Sequence, residues 1–267
     1  MSTLPLRLDA VVRDNRAEGA AGWRMTLELP RPWSWLPGQF AMLSPGAVGV
    51  AARHDPLLPR PMAIYREPVP SAVEILYKVS GRGTQLLAET KTGERVRWVG
   101  PLGLPFALPA SGQRAVLVGG GTGIASLYEL AVQARGRGPV TVLLGARRAG
   151  DLLAERDFAA LDVDLRVATE DGSQGHRGLV TELLERVLDD GGQAAVYACG
   201  PTPMMRRAAE IAAARGRACQ VSLENRMACG FGVCLGCAVP RADGTIALVC
   251  RDGPIFAAAA VGWDGVP

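Results

Sequence analysis

Histidine is nearly missing from this chain, which has two, His54 and His176, among 267 residues. Metal centres built on imidazole are therefore almost excluded, and any metal chemistry falls to thiols. Long apolar runs are missing too: no stretch of about 18 or more apolar residues occurs, which excludes a bilayer-spanning helix. The opening MSTLPLRLDAVVRDN has no apolar segment behind a basic start, so no secretory signal is expected and a cytoplasmic protein is. Neither sign of charge dominates. The 29 basic and 26 acidic residues leave +3, interspersed along the chain, and nucleic-acid binding gains no support.

What is present is a hydrophobic content of 48%, enough to bury two or three small cores. The first hundred residues read as short strands punctuated by Gly and Pro, at 6–12, 23–29, 39–43, 60–65, 73–79 and 95–99. Such spacing predicts a small antiparallel barrel. The Pro- and Gly-containing loop 45–59 is expected to be a lid or an insertion. After a linker at 105–113, strands alternate with helices to about residue 215, with a helix expected at 152–161; this pattern predicts a parallel sheet covered by helices. The last helix of this region should have Thr202 as N-cap, Pro203 at its first position and Gly216 just past its end. The expected fold is thus β followed by α/β followed by a cysteine unit, divided as 1–108, 109–219 and 220–267.

The last part of the chain carries Cys229, Cys234, Cys237 and Cys250 in a C-x4-C-x2-C…C array. That is the spacing of a plant-type [2Fe–2S] site, in which a tight loop supplies three thiolates and a later strand returns the fourth. Gly230, Gly232 and Gly236 let backbone wrap closely around such a cluster. Structural zinc is the rival, although zinc sites usually pair two C-x2-C knuckles and only Cys234 and Cys237 form one here. A disulfide framework does not suit a chain of this length. Cys219 reads as a small apolar core residue.

Two further segments suggest nucleotides. VLVGGGTGIAS runs from an apolar strand through Gly119, Gly120, Gly121, Thr122 and Gly123 into a helix, so phosphate can meet backbone N–H groups at a helix start. The strict dinucleotide fingerprint fails at Ser126, where Gly or Ala would stand. Arg147 and Arg148 follow the next strand where an NAD protein usually has an acid, which leaves NAD against NADP open. YACGPTPMM ends a later strand, placing Cys199, Gly200 and Pro201 at the carboxyl edge of the sheet, where Cys199 either packs or leaves room for a nicotinamide ring. In the barrel, Arg60 and the Gly83–Thr84 turn suit a diphosphate, or else are solvated surface.

In this order the segments resemble the ferredoxin reductase superfamily: an R-P-x-S-type strand, then GGGxG and CGP motifs, with PGQF at Pro37–Phe40 and GPLG at Gly100–Gly103 in support. The run SLENRMACGFGVCLGC with the signature Cys250–Phe256, and ATEDGSQGHRGLVT at Ala168–Thr181, narrow this to a chain similar to electron-transfer subunits of two-subunit, NAD-dependent dihydroorotate dehydrogenases. The resemblance implies an FAD barrel, a nicotinamide domain and a C-terminal [2Fe–2S] domain. It gives FAD to Arg60, Pro61, Met62 and Ala63, to Leu76, Tyr77 and Lys78, and to Gly83 and Thr84. It gives NAD to Gly119–Gly123 and Cys199–Pro201, and the cluster to the four array cysteines. Ala63 stands where the family usually has Ser, so one hydroxyl contact to flavin is absent. The implied role is to pass electrons from the FMN of a separate catalytic subunit, through the cluster and FAD, to NAD+ in pyrimidine (UMP) biosynthesis. A heterotetramer with two of each subunit, without membrane or nucleic acid, is implied too. Related reductase subunits of NADPH–ferredoxin oxidoreductases, sulfhydrogenases or oxygenases share these parts. A zinc-binding interaction module would leave the barrel motifs without a purpose.

Overall fold

The computed structural model describes residues 5–20, 22–30, 33–46 and 58–267. His54 and most of the expected loop 45–59 lie outside the described residues.

The N-terminal part holds strands β1 (Leu6–Glu18), β2 (Gly22–Glu28), β3 (Phe40–Pro45), β4 (Arg60–Ala63), β5 (Arg66–Val69) and β6 (Ala72–Lys78), helix α1 (Arg82–Ala88) and strand β7 (Arg95–Leu102). All pair antiparallel in the order β4-β3-β7-β1-β2-β6-β5. The sheet curls around a core of Met25, Leu27, Leu43, Ile64, Ile75 and Trp98, as the strand spacing predicts. Helix α1 was not anticipated among the strands. Helix formers Gln85–Ala88 follow Thr84, whose hydroxyl accepts from the N–H groups of Ser80 and Gly81 and so starts the turn.

Beyond the linker come β8 (Arg114–Gly120), α2 (Tyr128–Arg135), β9 (Val140–Ala146), α3 (Glu155–Ala159), β10 (Asp164–Thr169), β11 (His176–Arg177), α4 (Val180–Leu188), β12 (Ala194–Cys199), α5 (Thr202–Ala214) and β13 (Ala218–Ser222). These strands form the parallel sheet β11-β10-β9-β8-β12-β13. The interior strands β8 and β12 are apolar and buried nearly throughout because helices cover both faces. Chain order runs outward from β8 to β11, then returns to β12 beside β8. That reversal is a topological switch point, and ligands of open α/β sheets bind at such a crevice.

Three local expectations change. The helix expected at 152–161 contracts to α3, entered through Ala154 in left-handed backbone. The helix after the glycine loop begins as a 3-10 turn, Gly121–Leu127, before α2. Pro201, not Thr202, occupies the cap of α5, and the Thr202 hydroxyl donates instead to the Pro267 carbonyl. Gly216 does follow the helix with positive φ, as expected.

The cysteine segment contributes β14 (Ala238–Pro240), β15 (Ile246–Leu248), α6 (Val249–Asp252) and β16 (Ile255–Ala257). β14 and β15 form a small hairpin, whereas β16 pairs antiparallel with β13 and so completes the large sheet. Among the described residues no helix is long and apolar enough to cross a membrane.

Candidate functional site

Two clefts and a thiol loop meet at this junction. The first cleft, of about 360 Å3, is lined by Arg60, Pro61, Met62 and Ala63 from β4, by Leu76, Tyr77 and Lys78 from β6, and by Thr84. Eight of the nine residues expected to hold flavin thus share one wall. The ninth, Gly83, lies beneath Arg60: a Cβ at Gly83 would stand 2.4 Å from the guanidinium Nε, so only glycine lets Arg60 lie flat there. The guanidinium donates to the Leu58 and Pro59 carbonyls at 3.0 and 3.2 Å. Thr84 spends its hydroxyl hydrogen on the Gly81 carbonyl, at 3.0 Å, within its own turn. This cradle of one fixed guanidinium beside apolar walls fits a diphosphate joined to a flat ring system.

The opposite wall combines residues that the sequence did not assign to flavin. Thr122 and Ser126 come from the glycine loop, and Ser222, Leu223, Glu224, Asn225 and Met227 come from the strand leading into the cysteines. Burial pushes the Glu224 carboxyl above its ordinary value. Ser222–Met227 open the run SLENRMACGFGVCLGC, whose resemblance assigned no cofactor to them; the fold brings five of them to the cleft.

The second cleft, of about 390 Å3, is lined by Gly120, Gly121, Arg147, Asp151, Glu170, Thr181 and Pro201 among others. Lys78 lines both clefts. Register pairs Cys199 with Gly119 across β12 and β8, bringing the CGP turn and the glycine loop side by side. Their approach is the reason for two glycines: a Cβ on Gly123 would lie 2.5 Å from the Cys199 carbonyl, and one on Gly200 2.9 Å from the Gly120 oxygen. Gly119 packs under Ile124 and does not line the cleft, and Thr122 faces the first cleft rather than the second. Cys199 is fully buried, and burial pushes its thiol up to about 12. Arg147 reaches the cleft, whereas Arg148 pairs with Asp151 at 3.4 Å. Asp151 and Glu170 supply the acids that the sequence lacked directly after β9.

The four array cysteines fall into two pairs. Cys237 and Cys250 are buried with sulfurs 3.3 Å apart. Cys229 hydrogen-bonds with Cys234. Burial would raise the Cys229 thiol, but N–H groups of Cys234, Phe231 and Val233 aim at its sulfur and hold it down to about 6. Burial and the neighbouring Cys237 push Cys250 up to about 12, while the Gly232 N–H opposes that rise. Two irons bridged by sulfide take two thiolates each, which two pairs supply. Gly230 lets the loop lie on the barrel, since a Cβ there would be 2.6 Å from Met42. Cys219 is half-buried against the core, its thiol pushed up by burial to about 12.

Comparison with known proteins agrees with this layout. The model for the iron–sulfur cluster binding domain of dihydroorotate dehydrogenase B matches residues 224–262, and that for the oxidoreductase NAD-binding domain matches 117–210. The dihydroorotate dehydrogenase B (NAD(+)) electron transfer subunit of Desulforamulus reducens is 38% identical over 86% of this chain and 87% of its own. That of Bacillus caldolyticus is 43% identical over 84% and 86%. Among solved structures, an NADH-dependent reduced ferredoxin–NADP oxidoreductase superimposes with a TM-score of 0.84 at 28% identity, covering 99% of this chain and 91% of that one. With the resemblance extending from the barrel to the cysteine segment, this chain belongs to the family of dihydroorotate dehydrogenase B (NAD(+)) electron transfer subunits.

Proposed function

We propose that the chain is the electron-transfer half of an NAD-linked dihydroorotate dehydrogenase, taking electrons released when an FMN-bearing catalytic subunit oxidises dihydroorotate to orotate in pyrimidine biosynthesis. One observation carries this reading: the first cleft has walls from the barrel, from the glycine loop through Thr122 and Ser126, and from Ser222–Met227, which lead directly into Cys229. A flavin there would touch all three parts. When bound, a [2Fe–2S] cluster relays single electrons, and FAD collects two for delivery to NAD+ as a hydride.

The chain's own residues hold and shield these groups. Cys229 with Cys234 would take one iron and Cys237 with Cys250 the other, while the N–H groups aimed at Cys229 support a thiolate. Arg60 over Gly83 would meet the FAD diphosphate, with Pro61, Met62, Ala63, Leu76, Tyr77, Lys78 and Thr84 walling the rest. Gly120, Gly121 and Pro201 would receive the nicotinamide dinucleotide, with Gly119, Thr122, Gly123 and Gly200 shaping the junction. Cys199 lines neither cleft and packs in the core beside the glycine loop. Glu170 suits a free ribose 2′-hydroxyl, and the NAD-linked relatives support NAD as the acceptor in a cleft that also carries Lys78, Arg147 and Arg207.

The division into an FAD barrel (1–108), an NAD domain (109–219) and a cluster domain (220–267) follows this reading, as do a cytoplasmic location and a heterotetramer of two chains of each kind. Phe231, Val233 and Leu235 stand 56%, 73% and 62% exposed on the cysteine loop, an apolar rim suited to the catalytic subunit. The test is anaerobic: the chain is purified with its partner, given dihydroorotate and NAD+, and NADH is followed. NADH formation that requires both chains is expected. None from a complex with intact flavin and cluster would overturn the assignment in favour of another reductase system.

A further inference from the structure

A part-buried ion network joins residues that line neither cleft. Arg24, on β2, is 5% exposed and donates to Glu74 at 2.8 Å, to Glu18 at 2.8 Å and to Asp157 at 2.5 Å. Arg66 donates to Glu74 at 2.7 Å and to Asp157 at 2.9 Å, and the Tyr65 hydroxyl donates to Asp157 at 2.7 Å. Every member but one belongs to the barrel. Asp157 is the exception: it lies on α3 of the nucleotide sheet, so three barrel donors converge on one carboxylate of the other half.

Both clefts connect to this point. Glu74 lies on β6, whose end supplies Leu76, Tyr77 and Lys78 to the first cleft, and Tyr65 follows β4 by two residues. The Tyr65 ring meets Tyr128 at 4.8 Å, and Tyr128 opens α2 directly after the glycine loop. Tyr128 in turn meets Phe158, the neighbour of Asp157, at 5.3 Å. The hairpin between β1 and β2 reinforces the contact. The Ala20 N–H donates to the Gly150 carbonyl at 2.7 Å, Ala154 donates to Glu18 at 3.0 Å, and a Cβ on Gly22 would strike Leu153 at 2.5 Å.

We propose that Asp157, gripped by Arg24, Arg66 and Tyr65, is a positioning residue that holds the nicotinamide cleft at reacting distance from the flavin cleft. The proposal rests on the functional reading above. Under that reading a hydride, two electrons with one proton, would pass between flavin and nicotinamide, toward NAD+ in turnover and from NADH in the reverse assay. The reacting atoms must lie about 3–3.5 Å apart, and a 1 Å misplacement costs about 100-fold. A multiply bonded carboxylate suits this task because without it Arg24 keeps only Glu18 and Glu74 and Arg66 only Glu74, all of them on the barrel, so no ion pair of the network then reaches the nucleotide sheet.

The structure offers a direct test. A Cβ at Gly150 would stand 3.7 Å from that of Ala20, within the span of a disulfide, so A20C with G150C can lock the halves together independently of Asp157. Asp157→Asn in the flavin- and cluster-loaded complex is expected to slow NADH-driven flavin reduction tenfold or more, with flavin content and NADH affinity retained. Amide hydrogen exchange should rise over 17–24 and 150–159. Oxidising the cysteine pair in the Asp157→Asn background should recover the rate, and reducing it should abolish the recovery. An unchanged rate in Asp157→Asn, or a slow rate that the closed disulfide leaves slow, overturns the proposal. Should Asp157→Asn fail to fold, the cysteine pair alone decides: full hydride transfer with the bond closed is expected, and loss of it would mean that the halves must move. If the unmodified complex itself shows no flavin reduction by NADH, the nicotinamide reading fails instead.

Discussion

Cys237 and Cys250 hold their sulfurs 3.3 Å apart across thirteen residues of chain, and the Cys250 N–H also points at the Cys237 sulfur, at 3.5 Å. The hairpin β14–β15 makes this closure: it leaves Cys237, pairs Ala238 with Leu248, and delivers Cys250 in the first turn of α6. Replacing Cys250 with Ser should therefore remove the cluster, not reshape it. Iron content and the visible iron–sulfur spectrum should be lost, and NADH formation from dihydroorotate should fall by more than the roughly 10–100-fold typical of supporting-residue losses at metal sites. NADH-to-dye activity, which needs only flavin, should persist.

Gly123→Ala places a methyl carbon 2.5 Å from the Cys199 carbonyl and 2.6 Å from the Gly200 nitrogen, a backbone peptide that cannot swing aside as a side chain could. Overpacking of this kind costs about 1–3 kcal/mol. The expected result is a lower thermal midpoint and weaker NADH binding, read by calorimetry and by titration of the oxidised chain. Tight flavin binding with unaltered NADH affinity would contradict the contact.

Val233→Glu changes a residue that is 73% exposed beside Cys234, so folding stability should hold within about 0.5 kcal/mol. Partner binding should weaken by the 2 kcal/mol or so of an interface hot spot, about 30-fold. Size-exclusion of the mixed subunits, with NADH-to-dye activity as a control for integrity, checks both halves of this expectation.

Acid stability depends on the joint at Asp157. Burial would raise the Asp157 carboxyl, but hydrogen bonds from Tyr65 and Arg24 outweigh it and hold the group below its ordinary value. A lowered folded-state pKa stabilises above the unfolded value and loses that contribution as pH falls through the folded one. Stability should drop below about pH 4, the ordinary carboxylate range, and Asp157→Asn should show a shallower decline there than the native chain. Denaturant midpoints measured across that range give the comparison.

Much of the site was legible because its signals are local. The C-x4-C-x2-C spacing, the run Gly119–Gly123 and the strand Arg60–Ala63 each encode a turn or an edge within a dozen residues, and the fold places Arg60–Ala63 and Thr122 at the first cleft and Gly120 and Gly121 at the second. The cleft positions that local sequence did not assign come from long-range pairing. Ser222–Met227 reach the first cleft only because β13 lies beside β12, and Glu170 reaches the second only because β10 lies beside β9. Asp157 carries no motif at all. Its partners are 91, 92 and 133 residues away, at Arg66, Tyr65 and Arg24, and no periodicity links such positions. Thr202 misled for a related reason, since its hydroxyl answers to the distant Pro267 carbonyl.

Among the described strands β16 pairs with β13 alone, through Gln220, Val221 and Ser222. A chain cut short after Glu224 would thus lose more than its metal ligands. It would expose β13 as a bare row of hydrogen-bonding groups, the kind of edge on which chains add to one another. Shortened forms of this protein should therefore be recognised first by turbidity and inclusion bodies, and the metal-binding tail serves as the molecule's guard against self-association.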